Sequence, residues 1–147
     1  MKPDTRQQGV TYDEADLLRR ARAVRDRAYA PYSHFRVGAV VVTADGDAFE
    51  GVNVENASFR MTTCAEQAAV ATMVASGARG PIVAVAVVGD GREPCTPCGA
   101  CRQIIHEFGP EALVYSSGDA GRPQIDRLSE LLPHGFGPRR LASGQGA

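Results

Sequence analysis

The sequence lacks an excess of charge and has no long apolar run. Its 147 residues carry a formal net charge of −1, so the surplus of basic residues typical of nucleic-acid binding is absent. The longest apolar run, residues 82–88, is far shorter than the ~20 residues that cross a bilayer. We therefore expect neither a nucleic-acid partner nor a membrane partner.

Cysteine is also scarce, and its placement is uneven. Cys64 stands alone, whereas Cys95, Cys98 and Cys101 lie together. The first eight residues, MKPDTRQQ, are polar where a secretory signal requires an apolar segment, so we expect a cytoplasmic location. In that reducing compartment, clustered cysteines indicate metal binding or catalysis rather than disulfides.

Helix and strand signals alternate along the chain, which predicts a single α/β domain over residues 1–147 with flexible ends at 1–10 and 137–147. Thr11 and Glu14 resemble a capping box for the first helix. The predicted helices cover residues 12–29, 65–77, 99–109 and 128–132. The predicted strands cover residues 35–43, 48–54, 82–88 and 112–116, with a hairpin turn at 44–46.

The stretch PCTPCGACRQ contains Pro-Cys-x-x-Cys twice, once from Pro94 and once from Pro97. A helix that begins after Cys98 places its thiolate at the positive end of the helix dipole, and Cys101 follows one turn later on the inward face. The two sulfurs therefore converge. Cys95 precedes Thr96-Pro97 and belongs to a loop that does not fix the direction of its sulfur.

Cys64 repeats this construction, because it stands just before a predicted helix that begins at Ala65. With Cys98 and Cys101 it makes three sulfur ligands and leaves one open position, as in a catalytic zinc site. Glu66 lies in the first turn of the same helix. A carboxylate that is close to the metal but not bound to it is the proton acceptor that water activation by zinc requires.

Several motifs together identify the chain as similar to the cytidine deaminase family, of the small homotetrameric, three-cysteine type. They are YAPYSHFRVGA, GVNVENASF, TCAEQAA, PCGACRQ and ELLPHGF, within residues 12–136. The resemblance implies a three-layer α/β/α sandwich around a mixed five-stranded sheet. It also implies zinc-dependent hydrolysis of cytidine or deoxycytidine to the uridine product and ammonia, for pyrimidine salvage.

The resemblance also implies a role for each residue of the site. The zinc ligands match Cys64, Cys98 and Cys101, with one Zn²⁺ per subunit, and the proton shuttle matches Glu66. The substrate-binding residues are Phe35 in the pocket wall, Asn53 and Glu55 at the ribose hydroxyls, the backbone of Ala65 at the cytosine edge, and Phe136, which closes over the base in a neighbouring subunit. That last role requires an oligomer, and the implied one is a homotetramer.

The chain departs from the family pattern at Gln67, where many relatives carry Arg. Three thiolates and one divalent zinc leave a net negative centre, and Gln67 donates hydrogen bonds without adding positive charge. We predict a more basic zinc-activated water than in a relative with Arg. Arg102 is a candidate substitute if its side chain turns toward the sulfurs.

Other interpretations stay open at this point. One alternative is that all four cysteines close a structural zinc site, which leaves Glu66 unexplained. Another is a non-catalytic, zinc-stabilised interaction domain. Within the same chemistry, a deaminase of a cytosine-nucleoside antibiotic such as blasticidin S is the alternative, although Glu55 suits a ribose diol better.

Overall fold

A computed structural model describes residues 9–144 of the chain. Its elements are, in chain order, α1 (Glu14–Arg25), β1 (Val37–Thr43), β2 (Ala48–Val52), a 3₁₀ turn (Phe59–Met61), α2 (Ala65–Ala75), β3 (Ile82–Gly89), α3 (Gly99–Phe108), β4 (Leu113–Ser117), β5 (Gln124–Arg127), α4 (Leu128–Leu131) and α5 (Pro138–Gly144). Among these residues, no helix is both long enough and apolar enough to cross a membrane.

The strands form one mixed sheet in the order β2-β1-β3-β4-β5. β1 is antiparallel to both β2 and β3, β3 is parallel to β4, and β5 is antiparallel to β4. Every residue of β3 is buried, as a central strand covered on both faces requires. The predicted mixed five-stranded sheet is confirmed.

Helices cover both faces of the sheet and make three layers. On one face, Leu17 and Ala21 of α1 pack against Val40 and Val42 of β1. On the other face, α2, α3 and α4 pack against the alternate residues of β1, β3 and β4, among them Val41. Because successive side chains of a strand point to opposite faces, one apolar strand serves both layers. The predicted α/β/α sandwich is therefore confirmed.

Several predicted boundaries were wrong at the ends of elements. The cap of α1 is Asp13, whose Oδ1 accepts the N–H of Ala15 at 2.9 Å, and not a Thr11–Glu14 capping box. The helix ends at Arg25 rather than at residue 29, because Tyr29 pairs with Val54 in an isolated bridge. β1 begins at residue 37 rather than at residue 35, and β2 ends at residue 52 rather than at residue 54.

The C-terminal part of the chain holds two elements that the pattern of apolar residues did not predict. β5 contains one apolar residue, Ile125, in four positions, so its sequence carries no alternation long enough to indicate a strand. α5 lies in the segment 137–147 that we predicted to be flexible, and its residues are exposed. Residues 1–8 and 145–147, which belong to the predicted flexible ends, lie outside the described residues.

One close approach brings α2 against the sheet. A Cβ added to Gly51 of β2 would lie 2.3 Å from the amide nitrogen of Ala69 and 2.4 Å from the carbonyl oxygen of Ala65. Such distances are shorter than van der Waals contact, so this position accepts only glycine without a backbone shift. Gly51 therefore fixes how deeply the N-terminal turn of α2 sits on the sheet.

Candidate metal centre

Three cysteines meet at the N-termini of two helices. Cys64 is the N-cap of α2 and Cys98 is the N-cap of α3, and neither sulfur caps its own helix by a hydrogen bond. Cys101 lies in the first turn of α3 and is fully buried. The three Sγ atoms lie within 4.8 Å of one another, and all the thiols are free. The structure thus brings together the three predicted ligands.

The donor set fits zinc. Zn–S bonds of ~2.3 Å at tetrahedral angles place sulfurs ~3.8 Å apart, which is within the observed limit. A hydrogen bond with Cys101 lowers the pKa of the Cys64 thiol to about 7, and the same bond together with burial raises the pKa of Cys101. Three thiolates so close together would require a cation such as zinc to offset their charge.

Glu66 lies beside this cluster without belonging to it. Its side chain is in the first turn of α2 and only 4% exposed. Burial raises the pKa of the carboxyl, and hydrogen bonds from its backbone amide and from Cys101 oppose that shift. The raised pKa makes the protonated form of this carboxyl group more accessible than that of a free one, as a proton shuttle requires.

Cys95 is not part of the cluster in the described residues. Its side chain packs on Gly89 at the end of β3, where an added Cβ would lie 2.7 Å from the Cβ of Cys95. Burial and the nearby negative groups, Glu66 first among them, raise the pKa of the Cys95 thiol to about 11. The structure therefore forms no closed four-cysteine site within residues 9–144, and Cys95 is a neutral thiol against the sheet.

The ring of Phe35 also lies against Gly89, as Cys95 does. Phe35 precedes β1, its side chain is 43% exposed, and its Cζ would lie 2.9 Å from a Cβ on Gly89. The absence of a side chain at Gly89 thus allows Phe35 and Cys95 to approach each other over the end of β3. The loop that holds Cys95 leads on to Cys98, three residues later in the sequence.

Asn53 and Glu55 follow β2 and differ in their surroundings. Asn53 is only 9% exposed, and its side-chain amide bonds to the backbone of Phe35 and Val37. Glu55 lies in a surface cleft of about 390 Å³, and its Oε1 accepts the amides of Tyr32 and Ser33 at 2.9 and 3.1 Å. Hydrogen bonds from Ser33, and then from Tyr32, lower the pKa of Glu55, which is therefore an anion at neutral pH.

Ala65 and Phe136 were also predicted to bind substrate. Ala65 is fully buried, with its carbonyl oxygen against Gly51. Phe136 is 58% exposed, and its carbonyl oxygen accepts Nε2 of Gln103 from α3 at 2.8 Å. Among the described residues, no hydrogen bond joins Phe136 to Phe35, Asn53 or Glu55. The substrate-binding roles of all five residues stay predictions.

Arg102 does not turn toward the sulfurs. Its Nε donates to the carbonyl oxygen of Pro97 at 2.8 Å, and its Nη1 donates to that of Leu131 at 2.9 Å. The guanidinium therefore joins the loop before Cys98 to the end of α4. These bonds direct the Arg102 guanidinium to backbone carbonyl oxygens and not to the cysteine sulfurs. Arg102 therefore does not take the place of the Arg that many relatives carry at position 67.

A comparison with known families decides the identity of this site. Residues 11–117 match the family described as the cytidine and deoxycytidylate deaminase zinc-binding region. The chain belongs to the cytidine deaminase family. The matched residues include the three cysteines and Glu66, so the cluster lies in the zinc-binding region of this deaminase.

Individual relatives agree with the family match. Cytidine deaminase of Halalkalibacterium halodurans is 43% identical over 125 residues, which are 84% of this deaminase and 94% of that protein. The solved structure of cytidine deaminase from Burkholderia pseudomallei superposes with a TM-score of 0.81 at 43% identity, over 85% of this deaminase and 100% of that chain. The cytidine deaminase structure from Mycobacterium tuberculosis gives a TM-score of 0.72 at 38% identity, over 86% and 98%.

The sequence did not predict that Arg25 is buried at the end of β3. The guanidinium of Arg25, a buried residue, donates to the carbonyl oxygen of Gly89 at 2.9 Å and to Oδ1 of Asp119 at 2.7 Å. Asp90 lies 3.5 Å from the same nitrogen. Arg25 is the last residue of α1 and lies on the same helix face as Ala21, four positions earlier. Its burial distinguishes it from the other arginines of that helix.

Proposed function

We propose that this chain deaminates cytidine and deoxycytidine by zinc-dependent hydrolysis and releases uridine or deoxyuridine and ammonia. The observation that carries the proposal is the buried Glu66 beside a three-sulfur cluster. A cluster of three sulfurs leaves one metal position for water, whereas a structural zinc site fills all four. A non-catalytic zinc domain would leave the cost of burying the Glu66 carboxylate unexplained.

The reaction requires one carboxyl group to carry protons several times. Cys64, Cys98 and Cys101 would hold zinc, and the Lewis acidity of a bound zinc would make water a nucleophile at neutral pH. Glu66 accepts a proton from this water as its oxygen adds to the ring carbon that bears the amine, and it gives the proton to the adjacent ring nitrogen. It then moves the remaining hydroxyl proton to the amino group, so that ammonia leaves and the carbonyl of uridine forms.

The other predicted residues would hold the nucleoside in place. Phe35 forms the pocket wall, and the anionic Glu55 accepts a hydrogen bond from a ribose hydroxyl. The backbone at Ala65 reads the cytosine edge, and Asn53 is the second predicted group at the ribose. The cleft beside Glu55 suits a polar sugar, because Ser33 and Thr62 also line it.

We infer that the active protein is a homotetramer with one zinc per subunit, and that Phe136 closes over the base bound by a neighbour. Exposed apolar side chains support self-association. They are Tyr29, Tyr32, Val54, Phe59, Met61 and Phe136, each 45% exposed or more. A role in pyrimidine salvage in the cytoplasm would follow from the substrate.

Conversion of cytidine to uridine, followed by the change in ultraviolet absorbance, tests the activity of the zinc-loaded protein. Turnover of cytidine and deoxycytidine supports the proposal, and failure to turn over either nucleoside refutes it. Blasticidin S, offered in parallel, should react far more slowly, because Glu55 has no ribose diol to bind in that compound. Sedimentation of the same sample measures the oligomeric state, and a monomer that is fully active would refute the role of Phe136.

A further inference from the structure

Residues 135–137, with the sequence Gly-Phe-Gly, carry Phe136 and belong to no helix or strand. The chain turns just before them at His134, whose φ of 57° lies in the left-handed region. The Phe136 side chain is 58% exposed, so packing within its own subunit does not fix the ring. Contacts to the backbone of residues 135–137 therefore determine where the ring stands.

Gln103 of α3 holds the middle of this segment. Its Nε2 donates to the carbonyl oxygen of Phe136 at 2.8 Å. Because a carbonyl oxygen only accepts, the nitrogen of the side-chain amide is the atom that faces it. The helix itself is anchored in the core by Ile105, which is fully buried. The bond therefore ties the backbone of Phe136 to a helix whose position is fixed by packing.

His106, on the same helix, packs against the residues on either side of Phe136. A Cβ on Gly135 would lie 2.7 Å from Cε1 and 2.9 Å from Nδ1 of the imidazole, and a Cβ on Gly137 would lie 3.1 Å from Nε2. The ring therefore occupies the space that side chains at residues 135 and 137 would need. Its Nδ1 is buried without a hydrogen-bond partner in residues 9–144, which leaves packing as the contact on that side of the ring.

Residues three apart on a helix lie on the same face, so Gln103 and His106 act together on one segment. We propose that Gln103 and His106 are positioning residues for Phe136 and set its ring for the pocket of a neighbouring subunit. This inference rests on the proposed deamination and on the proposed role of Phe136. Because α3 also carries Cys98 and Cys101, the helix that would hold zinc in one subunit would place a residue of its neighbour's site.

A double-mutant cycle with Phe136→Ala tests the proposal by activity. One hydrogen bond or small packing contact is worth about two- to tenfold, so Gln103→Ala and His106→Ala should each lower kcat/KM for cytidine by about this factor. In the Phe136→Ala background the same two changes should have almost no effect, because the ring that they position is gone. Losses that multiply with that of Phe136→Ala, or a Phe136→Ala variant as active as the wild type, would overturn the proposal.

The His106→Phe variant isolates the packing contact. It keeps a flat ring against the two glycines and removes both nitrogens, and the adjoining cavity of about 540 Å³ leaves room for the larger ring. Positioning by packing predicts that His106→Phe keeps kcat/KM near the wild-type value, whereas His106→Ala loses it. Equal losses in the two variants would assign the effect to the nitrogens and overturn the packing role of His106.

Fluorescence gives an answer that does not depend on turnover. The sequence contains no tryptophan, so Phe136→Trp introduces a single one at this position. Time-resolved anisotropy separates local motion of the indole from tumbling of the whole protein. We expect the local motion to increase when Gln103→Ala or His106→Ala is added, and unchanged motion would overturn the proposal.

Glu107→Gln is the matched control for both measurements, because Glu107 is an exposed residue of the same helix. It should change neither kcat/KM nor the local motion of the indole. If the wild type deaminates no nucleoside, the proposed function fails. The anisotropy then still decides whether Gln103 and His106 hold residue 136 in place.

Discussion

Replacement of Glu66 by glutamine tests the centre of the mechanism. The change keeps the size of a side chain that is only 4% exposed, and it removes the group that accepts and returns protons. The amide introduced by Glu66→Gln cannot be protonated near neutral pH, so the variant has no proton carrier at this position. Zinc should be retained, because Glu66 lies outside the cluster of Cys64, Cys98 and Cys101.

The expected size of the effect follows from the position of the carboxyl group. General acid–base catalysis contributes about 10²–10⁴-fold, and a single residue that serves several proton transfers belongs at the upper end. A loss of about 10⁴-fold corresponds to ~5.4 kcal/mol in the activation free energy. The protein should not lose stability. Burial raises the pKa of Glu66, so its ionised form is unfavourable in the fold above the unfolded pKa of about 4.3, and a neutral amide avoids this cost at pH 7.

Three measurements on one sample give the answer: the rate of cytidine loss, the zinc content, and the unfolding temperature. Glu50→Gln on β2 is the matched control, because Glu50 is a partly exposed carboxylate in an ion pair with Arg20 of α1, on the sheet face opposite the one that Gly51 turns to α2. Its rate should equal that of the wild type. A Glu66→Gln protein that holds zinc and retains more than about a tenth of wild-type turnover would refute the assignment of Glu66.

Cys95→Ser should keep both zinc and activity, whereas Cys98→Ser should lose both, and the reverse result in metal analysis would assign the other Pro-Cys-x-x-Cys to the site. Gln67→Arg should move the acidic limb of the pH–rate profile to lower pH, because added positive charge favours the deprotonated centre, and coincident limbs would contradict this. Hydrogen bonding from Arg25 lowers the pKa of Asp119 in the fold, so the stabilisation by Asp119 is present above the unfolded pKa of about 3.9 and is lost as pH falls through the lower folded value. The difference in unfolding temperature between wild type and Asp119→Asn should accordingly be largest above about pH 5 and shrink toward pH 3, and a difference independent of pH would contradict the assignment.

The position of each cysteine of the cluster on its own helix was predictable because that geometry is local. A cysteine that precedes a helix and another in its first turn share one face whatever the rest of the chain does. The helix starts at Ala65 and Gly99 were correct, and these fix Cys64, Cys98 and Cys101 relative to their own helices. The convergence of the two helices is a tertiary fact, which motif resemblance supplied and the physical pattern did not.

The contacts of Asn53 were not predictable for the opposite reason. Residue 53 lay inside the strand predicted over residues 48–54, where side chains alternate between the two faces of a sheet. In the structure β2 ends at Val52, and the Asn53 amide turns back to bond with residues 35 and 37. No pattern within residues 48–54 indicates a partner that lies 16 to 18 positions earlier. The same limit explains why the buried role of Arg25 was missed.

Two helix N-termini direct partial positive charge at the metal centre, in addition to whatever residue 67 supplies. Zn²⁺ and three thiolates carry a net charge of −1, and Gln67 adds no positive charge. Cys64 and Cys98 cap two different helices, and each helix N-terminus acts as roughly half a positive charge, so together they offset about one negative charge. Because α2 and α3 both direct these ends at the cluster, the charge balance depends on the packing of the helices rather than on one side chain. Gln67→Arg would add a further positive charge to that of the two helix ends, and the shift of the acidic limb of its pH–rate profile measures the effect of this added charge.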